Sequence, residues 1–323
     1  MLRRTALALA CMVTLGLGCS GKRNPRDLLV PREVGTIVVD ARLIVGQFVP
    51  SIYLHTTLSP KDPYSSHDAA LVGAKVVLFT APGDSILFRH DHFDDSFGAY
   101  APYGVTGNED VYVRPGTTYY LRVEAADGRI VTAQTTTPDS FRVRDWVLLD
   151  DPSLAVRRRL ATFRDFPVRP DSVFVVDSNR LVYRDGLVEA RFDRGNGAGY
   201  QVGIFSLDDG SPTVIEADFL TPEDLATLAR ETSSPAFDAP NGFLRLPWFA
   251  IFFEGSYIIR IYSVDQNWYD LIRSMDFFGN NNIGFGTNAG DDFERPIFHI
   301  DGGIGLFGSA AMDENGFTVL PRP

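Results

Sequence analysis

The side chains with the clearest chemical capacity lie between His90 and Asp95. His90 and His92 alternate, so on a strand their imidazoles share a face, and Asp94 follows within two residues. Neutral imidazole with carboxylate suits zinc or a similar divalent ion, but such a site needs three or four converging ligands. A third ligand, His55 or His67, can arrive only through the fold. The expectation is therefore a solvated hairpin tip without a metal, with His90, His92 and Asp94 as the weak ligand candidates. Gly303, Gly305 and Gly308 spell G-x-G-x-x-G, the dinucleotide fingerprint, which requires a strand before it, a helix after it and an acid further on. Here Asp313-Glu314-Asn315-Gly316 reads as a turn, so the glycines are expected to be structural and no cofactor is expected. The oxygen-rich stretch 280–292 lacks the ligand spacing of a calcium loop. No G-x-S-x-G, H-E-x-x-H or S-x-x-K motif occurs, which leaves only a dispersed triad recognisable by geometry. The aromatic run Trp248, Phe249, Phe252, Phe253, Tyr257 and Tyr262 could line a sugar or peptide groove, but the expected reading is sandwich core plus one or two exposed rings.

The elements that would position these residues begin after an export signal. Arg3 and Arg4 precede an apolar run of about a dozen residues from Ala6 to Leu17, and small residues lead to Cys19. That run is shorter than the roughly 20 residues needed to span a bilayer. Residues 1–18 are thus read as a signal peptide and 19–33 as a flexible tether. The chain has two cysteines, Cys11 and Cys19, so a body cut before Cys19 can hold no disulfide and no thiolate metal site. Net charge is −11, and removal of the signal takes away two arginines and no acid. Such a body is not expected to seek nucleic acid or anionic lipid.

From Thr36 onward, β-branched and aromatic runs alternate with turn residues. Strands are expected at 36–45, 51–58, 74–79, 85–89, 118–125 and 129–136, and Asp127-Gly128 supplies a tight turn. The charged, strand-poor segment 139–170 reads as a connector with one short helix. A second series is expected at 172–177, 187–192, 200–206, 244–253 and 257–264. A capped helix is expected from Thr221 to Leu228, with another short helical turn at 268–275. The fold class that follows is mainly β: two tandem antiparallel β-sandwich domains, 34–138 and 139–323, with one or two short helices.

Three stretches resemble known families. Leu15-Gly16-Leu17-Gly18-Cys19 resembles the lipobox of bacterial lipoproteins, although Gly16 stands where a large aliphatic residue is usual. Gly73 to Leu78, Arg114 to Val123 and the Asp127-Gly128 turn resemble the carboxypeptidase-regulatory or transthyretin-like sandwich. Phe293 to Pro296, then Ile300 to Gly308, with Tyr257 to Asp265 and Trp268-Tyr269, are similar to a family of bacterial lipoproteins, DUF4249, with His299 in place of an expected Asn. These resemblances imply diacylglycerol on Cys19, and with Ser20 next to it, sorting to the outer membrane. They carry no catalytic residues.

The expected role is non-catalytic: a cell-envelope lipoprotein bound to the membrane through Cys19, with an outer-membrane transporter as a protein partner, or a glycan or peptide as ligand. The alternative is a glycan- or peptide-acting enzyme whose site has no sequence signature. A fold of this kind is only a weak guide to function.

Overall fold

The computed structural model describes residues 34–59, 61–80, 83–103, 111–215, 228–275 and 296–323. The signal peptide, Cys19, the tether, the helix expected from Thr221 to Leu228 apart from its last residue, and the loop 279–292 lie outside these residues. The described chain is mainly β, with a 13-stranded mixed sheet and a four-stranded antiparallel sheet.

The first stretch supplies β1 (Ile37–Ile44), β2 (Ile52–Thr56), the single-turn α1 (Ser66–Ala69), β3 (Lys75–Thr80), β4 (Ser85–His90), β5 (Ala99–Tyr103), β6 (Thr118–Glu124) and β7 (Ile130–Thr136). Alternation makes these strands: in β1, Ile37, Val39, Ala41 and Leu43 are buried while the residues between them are not. Tyr119, Leu121 and Val123 do the same in β6. Strands β1-β2-β5-β4-β3-β6-β7 follow one another by hydrogen bonding. Only β5 went unforeseen, because Pro102 and two alanines give it little β-forming character.

The second stretch contains β8 (Val143–Leu149), β9 (Val156–Arg159), α2 (Ser172–Val175), β10 (Arg180–Val182), β11 (Leu187–Phe192), β12 (Gly199–Ser206), β13 (Glu231–Ser233), β14 (Phe243–Leu246), β15 (Gly255–Val264), α3 (Gln266–Ser274), β16 (Ile300–Asp301) and β17 (Gly303–Leu320). The sheet β14-β11-β8-β9 shares a core with β12, β15 and the end of β17, built on Trp146, Leu148, Phe192, Ile204, Ile259 and Phe317.

Four local expectations are corrected. The strand expected at 244–253 ends at Leu246, where Pro247 leads into a helical turn at Trp248–Ala250. The connector 139–170 contains β8, hidden because Trp146, Val147, Leu148 and Leu149 are all buried and so break the period of two, and β9, whose three arginines read as charged surface. Residues 172–177, rich in valine, begin as the turn α2 instead of a strand, with Val173 buried against β17 and Val175 exposed. Asp313 to Gly316 is not a turn but the middle of β17. Its polar groups are satisfied by tertiary partners: Asp313 accepts from Val143 N and Arg164, and buried Asn315 donates to Ala161 O. Pairing with Ile258–Ile261 of β15 overrides the local turn preference.

The 18-residue β17 is what joins the halves. Its first part runs parallel to β1, from Ile37↔Gly303 to Ile44↔Ala310. Just ahead of it β16 pairs with β7, so one stretch of chain lies between the first and last strands of the N-terminal series. Ile300 and Phe307 accordingly belong to the first core. From Ala310 onward β17 pairs antiparallel with β15, and Phe317 and Val319 enter the second core. Main-chain hydrogen bonding thus links chain before residue 138 to chain after residue 300.

Helix α3 sits over this crossover. Asp265 caps it by accepting from Trp268 N (3.0 Å), and its buried Trp268 and Leu271 pack with Val264, Leu306 and Ala310 in a small third cluster. Among the described residues no helix is long and apolar enough to cross a membrane.

Candidate functional site

An open cleft of about 420 Å³ lies between the edge of the large sheet, just past β13, and the edge of the small sheet at β14. Its position follows from the second core. Val202 of β12 and the link that follows β13 form one side, and β14 with the turn after it forms the other. Phe237, Phe243 and Phe249 supply aromatic walls, while Pro235 and Pro247 supply rigid apolar corners. Phe249 is the most exposed of the rings, whereas Phe252, Phe253 and Tyr257 from the same aromatic run are buried in the core. The run thus divides as its composition suggested, mostly core with a remainder facing outward.

The cleft also carries a fixed cation. Arg245 Nε lies 2.9 Å from Glu189 Oε2, and Arg191 Nε lies 2.7 Å from Glu189 Oε1, so one buried carboxylate holds two guanidinium groups. The Arg245 guanidinium also stands over the Phe243 ring at 4.9 Å. This bracing pre-organises Arg245, leaving little side-chain entropy to be lost when a ligand meets it. The backbone at the rim is equally ordered. Phe237 and Tyr200 exchange both main-chain hydrogen bonds (2.9 Å each), which continues the β13 edge past Ser234.

Among the described residues no hydrogen bond joins a nucleophile to a base in the cleft, whose one carboxylate in the lining is Asp238. The one hydroxyl in its lining, Ser234, accepts from Val202 N at 2.9 Å and lies 2.7 Å from Pro235 O. All five histidines lie elsewhere: His55, His67, His90 and His92 in the N-terminal series and His299 beside α3. His299 Nε2 is 2.7 Å from Asp270 Oδ2, the geometry of a base with its orienting acid. Among the described residues no serine hydroxyl completes it. Nearby Ser274 is turned instead to Leu271 O and Ile297 N.

His90 and His92 do come together, with their Nδ1 atoms 3.0 Å apart, and His90 Nε2 lies 2.6 Å from Phe97 O. Asp94 turns away from them. It accepts from Ser96 N at 2.8 Å, and the Ser96 hydroxyl and backbone hold its carboxyl below the usual carboxylate range. His55 Nε2 reaches Ser96 O at 3.3 Å, and the His67 ring meets Phe97 edge-on. Four histidines therefore gather around the 91–98 loop through its backbone and rings. Among the described residues no group of three or more ligands could hold a metal ion. The G-x-G-x-x-G glycines stand in or at the start of β17 with strand on both sides, so the helix a dinucleotide site needs is not there.

The cleft went unrecognised in the sequence because its parts are 40 residues or more apart at the extremes, from Val202 to Phe249, and none carries a motif. The one available signal was Pro247-Trp248-Phe249, a proline-flanked aromatic pair following a strand.

Fold and cleft together define a mainly β protein with an apolar, aromatic-walled groove between two sheet edges. The chain belongs to the family described as Domain of unknown function (DUF4249), which it matches over residues 24–315. No curated protein matches it.

Proposed function

We propose that this chain is a cell-envelope lipoprotein, held by lipid on Cys19 to the outer membrane, whose body binds a partner without catalysing a reaction. In this reading the body comprises two β-sandwiches that share β17, the first of the transthyretin-like kind. The β13–β14 cleft takes an extended peptide segment, and an outer-membrane transporter is the expected source of that segment. The observation that carries the reading is the cleft itself: two sheet edges flank aromatic and proline walls, Arg245 is braced in place, and the Ser234 hydroxyl is spent on Pro235 O. A strand laid along either edge gains main-chain hydrogen bonds, and the rings take alternate side chains.

Crosslinking in intact envelopes tests the binding role. A photoreactive residue at Phe249 is expected to capture an envelope protein, and the charge-reversing Arg245→Glu, made in the same background, is expected to reduce the yield at least several-fold. Capture unaffected by Arg245→Glu would remove the cleft from the binding role. Turnover of a peptide or glycan by the purified chain would replace the role with an enzymatic one.

The anchor has its own test. Cys19→Ser is expected to move the processed protein from the membrane to the soluble fraction, because in this reading the lipid supplies the membrane affinity and no contact of the acidic body is strong enough to hold it alone. Processed Cys19→Ser protein remaining fully with the membranes would show that lipid on this residue is not what holds it.

A further inference from the structure

We propose that the pole of the first core where the chain enters β1 is a docking face for a bilayer surface of neutral, zwitterionic headgroups. The proposal rests on the lipid-anchor reading of Cys19, and it names what the anchored body then touches.

Strand register defines the pole. Ile37, at the start of β1, pairs with Thr56 at the end of β2 and with Gly303 at the start of β17. Tyr53 pairs with Ala99 and Leu54 N donates to Gly98 O, so the 91–98 loop projects beyond the same end. Arg129, in the β6–β7 turn, donates to Gly35 O. The loop after β2, the 91–98 loop and the β6–β7 turn therefore surround the point where the chain enters the first core. The β17 strand leaves this pole in the opposite direction, toward the second core.

Large apolar side chains are exposed at this pole. Phe93 is 96% exposed and Tyr64 76%, with Val34, Phe97 and Ile130 also open to solvent. The loop that presents Phe93 is tightly built. Asp91 accepts from Phe93 N at 3.0 Å, Phe97 N donates to Asp94 O at 3.0 Å, and the histidine contacts to Ser96 O and Phe97 O described above hold its far side. Phe97 is kept at φ +59°, a conformation bulky side chains seldom adopt. An ordered loop is thus holding an aromatic ring outward into water.

The preceding chain says what covers that ring. Cys19 lies 15 residues before Val34, a span of at most roughly 50 Å when fully extended. A lipid on Cys19 keeps this pole close to the bilayer, and the resulting high effective concentration lets a weak face suffice. Exposed aromatic rings suit the headgroup boundary. The charge at the pole selects among surfaces: Asp62, Asp68, Asp91, Asp94, Asp95 and Asp127 outnumber Lys61 and Arg129. An anionic surface would be repelled, and a zwitterionic one would not.

The test uses the chain from residue 19 to 323, whose single cysteine is Cys19, coupled through that thiol to maleimide-headgroup lipid in phosphatidylcholine vesicles. Phe93→Trp reports at the pole. Val168→Trp, also exposed but in the second stretch, reports away from it. Emission from the three native tryptophans is subtracted using the parent chain. With brominated acyl chains in the bilayer, the added Phe93→Trp emission is expected to shift to the blue and lose most of its intensity, while Val168→Trp is unchanged. Phosphatidylglycerol in the vesicles should weaken the quenching at low salt, and added salt should restore it. Quenching of Phe93→Trp no greater than that of Val168→Trp would overturn the proposal. So would capture of a protein by a photoreactive residue at position 93 in intact envelopes without quenching on vesicles, which would assign the face to that protein. Because the tether is installed chemically, a negative result here is independent of whether cells lipidate Cys19, which the fractionation of Cys19→Ser decides.

Discussion

Gly305→Val is expected to prevent the chain from reaching a stable native state, with the protein recovered mainly as insoluble material. Gly305 sits in β17 opposite Val39 of β1, with φ at +112°. A β-carbon built there overlaps the Val39 carbonyl oxygen and lies 3.0 Å from the Val39 nitrogen and carbonyl carbon. Backbone has no rotamer by which to move aside. Holding a β-branched residue at that φ costs about 1 to 3 kcal/mol, and relieving the overlap adds about 1 to 3 kcal/mol. Together, about 2 to 6 kcal/mol, these reach the lower end of the stability of an ordinary domain, about 5 to 15 kcal/mol. The damage should also spread, because the same strand continues into the second core. Gly46→Ala separates the two causes. Gly46 has φ +79° but nothing within 4 Å of the added carbon, so it should lose only about 1 to 2 kcal/mol. Soluble yield and urea midpoints of the two variants check this. A Gly305→Val chain as soluble and as stable as Gly46→Ala would show that β17 does not need its close approach to β1.

These glycines show why a motif can be legible and its meaning not. Gly303 and Gly308 are also hemmed in, since an added β-carbon would come within 2.8 Å of Ile37 O at the first and of Leu306 Cδ1 at the second. Close packing, against backbone at Gly303 and Gly305 and against side chains at Gly308, accounts for these glycines; the sequence favoured a structural reading too, but through a turn at 313–316 that is strand in the structure. Strands whose alternation faces one core, such as β1, β6 and β7, were legible because period-two burial is a local property. The 18-residue β17 was not. Its polar centre, Asp313 to Gly316, reads as a turn until β15, Val143 and Ala161 supply partners from elsewhere in the chain. The parallel pairing of β17 with β1 is between residues more than 260 apart and leaves no local trace. The cleft was illegible for a related reason, being lined by strands of two different sheets.

The crossover between the halves also depends on one buried carboxylate, and the two substitutions that test it are expected to differ sharply. Asp265 is 6% exposed. Its Oδ2 accepts from the Thr135 hydroxyl at 2.5 Å, its Oδ1 accepts from Trp268 N at 3.0 Å, and Thr135 is 2.7 Å from Ser309 Oγ. The group thus ties β7, α3 and β17 together. Asp265→Ala removes the helix cap, worth about 0.5 to 2 kcal/mol, and leaves a buried donor unsatisfied at a cost of about 1 to 3 kcal/mol. A loss of roughly 2 to 4 kcal/mol is expected. Asp265→Asn keeps the acceptor for Trp268 N, and its amide can donate to Thr135 Oγ1 while that hydroxyl turns to Ser309. The comparison is pH-dependent in a defined sense. Burial raises the Asp265 pKa above its ordinary value despite the hydrogen bonds it accepts, so the folded state holds this proton more firmly than the unfolded state does. The resulting stability is fully present below the unfolded value, near pH 4, and is lost as pH rises through the folded one. The asparagine variant has no proton to lose. It should therefore match the parent closely in acid and equal or exceed it at neutral pH, as measured by denaturant midpoints across that range. A parent more stable than Asp265→Asn at neutral pH, with the gap closing in acid, would mean that the charged carboxylate holds the crossover together and that its hydrogen bonds outweigh its desolvation.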